Sequence, residues 1–472
     1  MNPKYRAAIS VTACLASAGW ISSADAAGFQ LFEQSVSGLG TSFASTAAAE
    51  DASTVYWNPA GMSFLKDQSN FISGGVQILK PSAKFSNDGS TTSSGAALTG
   101  GNGGDIGATT PLPNLYYAHR FNNGLGIGVG LSSHFGLKTE YDDGWVGRYQ
   151  AITSDLKTIS INPSVSYGFG DWFAIGGGVD IVKADAELTN KINFGAAIPV
   201  NPAAPALGTF SQQADGRVKI SGDDVAYGFT LAAMFRLGEA TKLGLTYHSK
   251  IDVKIDGDAS FNAPAITSAV LPVGPGGALV SVPLSPAQQA QITGAFNSRF
   301  QNQGASAEVT LPEYVSLAAH SQIDEQWAVM GDVTWTRWSR FNELRVKFKG
   351  GTLGDSVTEE NWDDTYKIAL GITYKPVVKL TLRMGVAYDQ QAADQKFLTP
   401  RIPDSSRTWL SFGIGYRFTP HTSIDVGYAH IFVAKTSINL TSEESVPQLR
   451  TTVNGSYKSS VDILAAQFNY NF

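Results

Sequence analysis

Residues 366–374, YKIALGITY, alternate between large apolar side chains and small or polar ones. The even positions carry Tyr, Ile, Leu, Ile and Tyr, whereas the odd positions carry Lys, Ala, Gly and Thr. Because successive side chains of a β-strand point to opposite faces, this strand has one apolar face and one small or polar face. A wall with lipid outside and water or another segment inside requires this pattern.

The same alternation recurs along the C-terminal half of the chain, in residues 380–389, 410–418, 424–428 and 464–472. The strands of a soluble sandwich also alternate, so the period alone does not decide between the two folds. Aromatic residues beside the shortest turns favour a membrane barrel, since aromatic belts mark the membrane interfaces. These residues are Phe121, Phe169, Trp172, Trp327 and Tyr374. The other connections are long, as they are on one rim of outer-membrane barrels.

Fourteen strands can be placed on the sequence, and an even number returns both ends of a barrel to the same rim. They lie near residues 69–80, 111–121, 124–135, 156–169, 172–189, 217–237, 241–257, 308–323, 326–349, 363–375, 379–389, 406–418, 422–440 and 457–472. The predicted fold class is therefore all-β, a 14-stranded antiparallel transmembrane β-barrel over residues 67–472.

Residues 1–26 predict a secretory signal peptide. Lys4 and Arg6 form a basic start, an apolar run follows, and residues 24–26, ADA, supply the small residues of a cleavage site. Lipoprotein-type cleavage at Cys14 is an alternative, although it would leave an unusually short apolar core. Cys14 is the only cysteine, so the chain that remains after residue 26 has no disulfide, thiolate metal site or cysteine nucleophile.

Residues 27–66 are rich in small residues and poor in large apolar ones. Such a segment cannot build a core of its own, yet it is too apolar for a solvated tail. A barrel of this width encloses a lumen that the side chains of its wall cannot fill. We therefore interpret residues 27–66 as a plug inside the lumen. Phe29, close to the start of this segment, is predicted to line an internal ligand pocket.

Composition and motifs argue against several functions. A formal net charge of −6 over 472 residues does not favour binding to nucleic acid. The sequence has no G-x-S-x-G elbow, H-E-x-x-H pair or P-loop, and its six histidines are scattered. No catalytic residue, metal ligand or cofactor is predicted, and an outer-membrane lipolytic enzyme is the less favoured alternative.

Two predicted strands are irregular. In residues 326–349 the apolar positions are odd-numbered as far as Trp335 and even-numbered from Leu344, which predicts a β-bulge between them. In residues 124–135 glycine occupies positions 126, 128 and 130, opposite the apolar face. The inner face of that strand is therefore bare backbone, against which another segment could lie closely.

A long loop contains the pattern of an amphipathic helix. Ser285 is a good N-cap, and Pro286 suits the first helical position. Ile292, Phe296 and Phe300 follow at four-residue spacing and would lie on one face. We expect an extracellular helix whose apolar stripe either forms a groove that catches ligand or packs the loop onto the barrel rim.

Motifs along the whole predicted mature chain resemble those of the FadL-type outer-membrane transporters for long-chain fatty acids and other hydrophobic compounds. The N-terminal motifs resemble the hatch of that family: GFQL at 28–31, SGLG at 37–40 and NPAGM at 58–62. The others are GRY at 147–149, LPE at 311–313, WTRWS at 335–339, YKIALG at 366–371 and IPDSSRTWLS at 402–411.

The resemblance implies a monomer in the outer membrane of a Gram-negative cell. It also implies hydrophobic pockets among the extracellular loops and in the lumen, and release sideways into the membrane through a gap at a kinked third strand. Long-chain fatty acids are the expected cargo of this passive uptake, and neutral alkanes or monoaromatic hydrocarbons are the alternative. The expected partners are these small molecules, outer-membrane lipid, and a barrel-assembly machinery that recognises a C-terminal strand ending in Phe472.

The corner formed by Asn58, Pro59 and Ala60 is a candidate gate. Proline forces Asn58 out of the helical region, and the Asn58 side chain can bond an unpaired strand edge. We expect this corner to hold the third strand open near residues 132–136, with Gly136 at the exit. A plain turn into the barrel is the alternative.

Basic residues are candidates for the ligand head group. At the position of a luminal arginine in the family, approximate alignment gives Asp185, with Lys183 two residues before it. Arg345 falls near a basic position of the family, and its guanidinium could hold a carboxylate through two parallel bonds. After the expected bulge, Arg345 would point inward with Lys347 and Lys349. A cluster of structural ion pairs is the alternative to a carboxylate site.

Overall fold

The computed structural model describes residues 28–65, 69–197, 212, 215–262, 268–273, 278–350, 353–444 and 447–472. The signal-peptide prediction for residues 1–26 lies outside this part of the chain. Within it, fourteen wall strands form one antiparallel barrel, which closes where the last strand pairs with the first, from Phe71↔Asn471 to Asn87↔Gly455. The predicted fold class is confirmed.

The wall strands, numbered β1 to β14 in chain order, are Asn70–Asn87, Thr110–Arg120, Leu125–Ser132 with Gly136–Glu140, Thr153–Phe169, Phe173–Asn193, Asp215–Leu237, Thr241–His248 with Ile251–Asn262, Gln303–Leu311 with Tyr314–Gln322, Trp327–Thr336 with Glu343–Phe348, Thr365–Val377, Leu380–Asp389, Arg407–Arg417, Thr422–Val433 with Thr436–Thr441, and Thr451–Asn471. Five of these strands are therefore interrupted within the described chain.

The remaining elements are short or lie in loops. The helices are Val36–Leu39, Thr54–Trp57, Phe194–Ala197 and Pro286–Arg299, and the 3-10 helices are Pro59–Phe64, Trp338–Arg340, Gln395–Phe397 and Pro447–Leu449. The short strands Thr91–Thr92 and Ser356–Glu359 extend the barrel sheet, whereas Ser268–Val273 and Ala278–Pro283 form a separate hairpin. None of the helices in the described residues is long and apolar enough to cross a membrane.

The alternation of side chains in β10 explains why these sequences form a membrane wall. Tyr366, Ile368 and Leu370 are 45–49% exposed on the outer face, whereas Lys367 and Ala369 are at most 3% exposed on the inner face. An apolar surface of this kind, repeated around a barrel, is stable in lipid and not in water.

The N-terminal segment, residues 28–65, packs against inward-facing glycines of the wall. A Cβ on Gly128 of β3 would lie 2.6 Å from Val55 Cγ2 and 2.7 Å from Met62 Sδ. On the opposite side, a Cβ on Gly413 of β12 would lie 2.9 Å from the Cα of Gly40. The bare inner face predicted for β3 therefore receives another segment, and the lack of side chains at these positions allows the close approach.

The β-bulge predicted between Trp335 and Leu344 is wrong. A 3-10 helix, Trp338–Arg340, interrupts β9 there, and even-numbered side chains face inward both before and after it. The second part of β9 lies above the apolar band, where the outer face of the barrel meets water. The apolar side chains of this second part therefore lie on the inner face. Val346, 4% exposed, packs with Ala259 and Ala305.

Candidate functional site

A largely apolar cavity of about 560 Å³ lies between the N-terminal segment and the strands β1–β4 and β12–β14. This volume is typical of pockets that bind small ligands. Its inner side is formed by residues at the start of the N-terminal segment, and its other sides by the wall and by residues 402–405. The lining residues used below are Phe29, Leu31, Glu33, Leu131, Gly136, Ile159, Arg407 and Trp409.

The wall is incomplete beside this cavity. The first part of β3 pairs with β2 only from Leu131↔Leu115 onwards. The second part, Gly136–Glu140, pairs with β4 and makes only a single bridge, Thr139↔Gly107, on its other side. In the described chain, residues 110–114 of β2 therefore have no strand partner on their β3 side. The cavity is lined by Phe29, which is 5% exposed, and also by Ile159, which is 57% exposed on the outer face. The cavity thus extends from the lumen through the break in β3 to the outer face.

The N-terminal segment takes up part of the pairing that β3 loses. The amide of Leu31 donates to the carbonyl of His134 at 2.9 Å, and the amide of Gly136 donates to the carbonyl of Phe29 at 3.0 Å. The N-terminal segment thus holds the broken stretch of the wall, because buried backbone groups need partners.

The Phe29 ring is surrounded by four other aromatic rings. Its ring centroid lies 4.9 Å from that of Trp338, 5.8 Å from those of Phe341 and Trp362, and 6.1 Å from that of Phe135, all in edge-to-face geometry. Gly28 precedes it with a φ of +36°, and a Cβ there would lie 2.5–2.6 Å from the Trp362 and Trp338 rings. Glycine at 28 is therefore required to seat Phe29 at the cavity wall.

Charged groups meet the cavity at its inner end. Arg407, the first residue of β12, donates from Nη2 to the carbonyl of Gly28 at 2.8 Å and contacts Asp404 at 3.5 Å. Burial raises the pKa of Asp404 to about 6 although Arg407 opposes the shift, and burial also raises the pKa of Glu33 to about 7. The Trp409 indole is buried and has no hydrogen-bond partner in the described residues. The inner end of the cavity therefore offers both cationic and neutral donors to a ligand.

A row of inward charges continues from Arg407 across the neighbouring strands. Asp389 of β11 pairs in register with Arg407 on one side and with Lys367 of β10 on the other. The Asp389 carboxylate is 1% exposed, and in the described chain it accepts no hydrogen bond. Lys367 donates to the carbonyl of Ser42 at 3.0 Å and lies 4.5 Å from the centroid of the Phe32 ring. This row fixes the N-terminal segment to the wall by charge as well as by packing.

A second cavity, of about 430 Å³, lies among the outer loops. Phe300 and Phe261 line it together with the charged residues Arg401 and Glu444. The loop helix begins where predicted, with Ser285 as its N-cap in a capping box and Pro286 as its first residue. Phe296, however, is fully buried against Phe194 and takes no part in the lining. Phe296 therefore packs the loop onto the barrel rim, which was one of the two alternatives. For Phe300, the ligand-catching groove stays a prediction. The side chain of Ile292 lies outside the described residues.

Asn58 is extended, with a φ of −160°, as expected before a proline, but it does not bond the strand edge that was expected as its partner. The side-chain amide of Asn58 donates to the carbonyls of Ala233 and Leu245, on β6 and β7. Pro59 and Ala60 lie against Gly176 of β5. The corner therefore does not reach residues 132–136, where Phe29 and Leu31 make the contacts instead. Gly136 does lie at the break in β3 and lines the cavity.

The expected inward orientation of the two head-group candidates is wrong. Arg345 is 37% exposed and lines neither cavity; it makes ion pairs with Glu343 at 2.6 Å and with Asp355, a lining residue of the outer cavity, at 3.1 Å. Lys183 is 53% exposed on the outer face and pairs with Asp185 at 3.5 Å. Lys347 is also exposed on the outer face, and Lys349 pairs there with Asp256. Arg345 and Lys183 therefore form structural ion pairs, which was the alternative to a carboxylate site.

Sequence reasoning missed the charged residues that reach the cavity, Arg407 and Glu33, and a buried polar cluster. Arg407 lies within the motif at 402–411, so that motif was the available signal. The rings of His134 and His248 are 5.9 Å apart, and Asp180 lies 3.5 Å from His134. No local pattern brings together residues so distant in sequence. The described residues contain no group of three or more His, Cys, Asp and Glu that could hold a metal ion.

Comparisons with known proteins give a consistent result. The model of a family described as outer membrane protein transport protein (OMPP1/FadL/TodX) matches residues 17–472. Outer membrane protein P1 of Haemophilus influenzae is 30% identical, with 99% of this chain and 100% of that protein covered. A long-chain fatty acid transport protein of Salmonella typhi is 31% identical, with 88% of this chain and 89% of that protein covered.

Solved structures share the fold. A Pseudomonas aeruginosa FadL homologue has a TM-score of 0.81 at 23% identity, covering 94% of this chain and 99% of that one. The Pseudomonas putida toluene transporter TodX has a TM-score of 0.63 at 18% identity, covering 89% and 94%. The agreement extends over nearly the whole barrel.

Proposed function

Since this chain belongs to the OMPP1/FadL/TodX family of outer membrane transport proteins, we propose that it takes up long-chain fatty acids passively and releases them sideways into the outer membrane. The protein is an outer-membrane β-barrel that transports hydrophobic compounds or fatty acids. The fatty-acid cargo and the route are the proposal. The relatives are described as transport and outer membrane proteins, which points away from an enzyme.

The observation that carries the route is the cavity that passes through the break in β3. An amphiphile in the lumen could leave along Leu131 and Ile159 without crossing the periplasmic rim. Each step along this path exchanges one apolar surface for another, so movement down a concentration gradient requires no further source of energy.

We propose that the N-terminal segment acts as the plug and that Phe29 contacts the ligand chain. The inward glycines that receive residues 28–65, and the place of Phe29 in the cavity lining, support both assignments. In the same scheme the outer cavity beside Phe300 holds the ligand first. A monomeric state and insertion by the barrel-assembly machinery stay predictions.

Arg407 replaces Arg345 as our proposed contact for the carboxylate. It is an arginine of the wall that both lines the cavity and keeps donors free of hydrogen bonds within the described residues. Its pairing with Asp404 favours the second candidate function, uptake of neutral alkanes or monoaromatic hydrocarbons, because a cation that is already neutralised attracts a carboxylate less.

Uptake by whole cells tests the proposal. Cells with this transporter as their source of uptake should take up labelled oleate, and deletion of residues 27–34 should either abolish uptake or raise permeability to unrelated solutes. Unchanged uptake and permeability after the deletion would refute the plug assignment. Saturable uptake of toluene or hexadecane without uptake of oleate would establish the second candidate.

A further inference from the structure

The outer face of β14 and β1 changes from apolar to basic toward the rim that carries the long loops. Leu464 and Ile78 are paired in register and are 60% and 38% exposed in the apolar band. Two residues further along lie Asp462 and Lys80, then Ser460 and Ser82, and then two lysines, Lys458 and Lys84, directly opposite each other. Both of these lysines are exposed.

A third lysine extends this pair onto β13. Lys435 lies in the break of β13, directly before Thr436, and Thr436 pairs with Tyr457, the neighbour of Lys458 on β14. Lys435 is exposed as well. Since neighbouring strands are about 4.8 Å apart, the three lysines form one short row across three strands. We refer to Lys435, Lys458 and Lys84 as the lysine row.

The protein supplies little negative charge to the lysine row. Asp105 lies 3.9 Å from Lys84, but its oxygens already accept hydrogen bonds from Ser82 Oγ at 2.7 Å and from the Ala83 amide at 2.9 Å. Lys435 and Lys458 have no ion pair among the described residues. Several lysines elsewhere on the outer face are matched, such as Lys219 with Glu187 at 2.7 Å and Lys250 with Asp252 at 2.6 Å. Like charges placed directly opposite each other destabilise a sheet, so an external anion would relieve the row.

We propose that the lysine row binds the phosphate of an anionic lipid head group in the outer leaflet. Phe432, 54% exposed and in register with Ser460, is the large apolar side chain just below the row. The lysines follow two residues further, about 7 Å along the strand, which is the depth at which head groups replace acyl chains. Phe432 and Leu464 can contact the acyl chains of the same lipid. This continuity favours a lipid over free phosphate, and the site is independent of the transported ligand.

Binding of a labelled lipid to the purified full-length protein tests this site. Diphosphoryl lipid A in phosphatidylcholine vesicles serves as the probe, and its dephosphorylated form and inorganic phosphate serve as comparison ligands. The variant is K84Q/K435Q/K458Q. The matched control is K183Q/K219Q/K250Q, which removes the same charge from paired lysines elsewhere on the outer face. Both variants are first checked for folding by the change of gel mobility on heating.

The triple variant of the row should bind diphosphoryl lipid A roughly 100-fold more weakly, since each basic residue near an anionic membrane surface contributes about a factor of five. The control should stay within about twofold of the wild type, and the dephosphorylated lipid should bind weakly to all three proteins. Equal binding by the row variant and the wild type would overturn the proposal, as would an equal loss in the control. Competition by inorganic phosphate as strong as that of the lipid would refute the lipid as the source of the anion.

Discussion

Replacement of Arg407 by glutamine should separate a fatty acid from a neutral hydrocarbon as the cargo. Arg407 lines the inner cavity, and its Nη2 donates to the carbonyl of Gly28 and contacts Asp404. Its Nε and Nη1 make no hydrogen bond within the described chain, and the side chain is 24% exposed. A carboxylate in the cavity can therefore accept from these donors, whereas an alkane cannot.

The size of the effect follows from the kind of bond that is lost. A hydrogen bond to a charged group contributes about 1.5–3 kcal/mol, so oleate should bind to Arg407→Gln roughly 10 to 150 times more weakly. Binding of hexadecane should change less than about twofold, because apolar contacts with Phe29 and Leu31 remain. The substitution also leaves Asp404, which is 2% exposed, without its cation. The double variant Arg407→Gln/Asp404→Asn removes that charge and shows whether a general loss of folding is responsible.

Equilibrium binding of labelled oleate and hexadecane to the purified protein in non-ionic detergent measures both effects. Arg345→Gln is the matched control, since the Arg345 side chain lines neither cavity and its loss should leave both ligands unaffected. Equal weakening of both ligands in Arg407→Gln would indicate a damaged cavity. Unchanged oleate binding in a folded Arg407→Gln protein would refute the head-group assignment.

Three further changes test the cavity, the pH dependence and the seat of Phe29. Gly136→Leu should block oleate uptake, whereas Gly136→Ala should retain most of it, because the one tight contact of an alanine Cβ would be with the flexible end of Leu31 at 3.0 Å. Full uptake by folded Gly136→Leu would contradict lateral release. Burial raises the pKa of Glu33 from its ordinary value of 4.5 to about 7, so the folded state binds its proton more tightly. The contribution of this group to stability is therefore lost as pH rises from about 4.5 to 7. The unfolding free energy of the wild type relative to Glu33→Gln should therefore fall across that range by roughly 3 kcal/mol, and a difference that does not vary with pH would be evidence against a buried Glu33. Gly28→Ala should lower the free energy of unfolding by about 1–3 kcal/mol through overpacking against Trp338 and Trp362. Gly89 also has a positive φ, but no atom lies within 4 Å of a Cβ there, so Gly89→Ala should lower the free energy of unfolding less. Equal losses in the two variants would remove the steric explanation.

The wall strands could be predicted from sequence because the period of two is a local property that lipid and lumen impose on every strand. Their interruptions could not be predicted. The break between Ser132 and Gly136 is occupied by backbone groups of Phe29 and Leu31, and the interruption of β9 is held by Arg340, which donates to Glu313 at 2.8 Å. Contacts of this kind join residues far apart in sequence, so no pattern within one strand reveals them.

The errors at Arg345 and Asn58 have different physical causes. The prediction for Arg345 assumed that the apolar side chains of β9 face lipid along the whole strand. Above the apolar band, however, the apolar side chain of Val346 packs inward, and the basic side chains beside it face water. For Asn58 the conformation next to proline was a local property and could be predicted. Its partners, the carbonyls of Ala233 and Leu245, depend on how the whole N-terminal segment packs against the wall.

The cavity and the break in the wall are energetically linked through Phe29. Any movement of Phe29 away from its seat gives up its contacts with four aromatic rings, each of which contributes about 0.5–1.5 kcal/mol. It also strains the hydrogen bonds between residues 29–31 and 134–136, which contribute about 0.5–1.5 kcal/mol each. A ligand chain that enters the cavity can replace the aromatic contacts but not the backbone bonds. Occupancy of the cavity therefore reduces the cost of moving Phe29, and the remaining cost falls on the two hydrogen bonds that hold the broken stretch of β3.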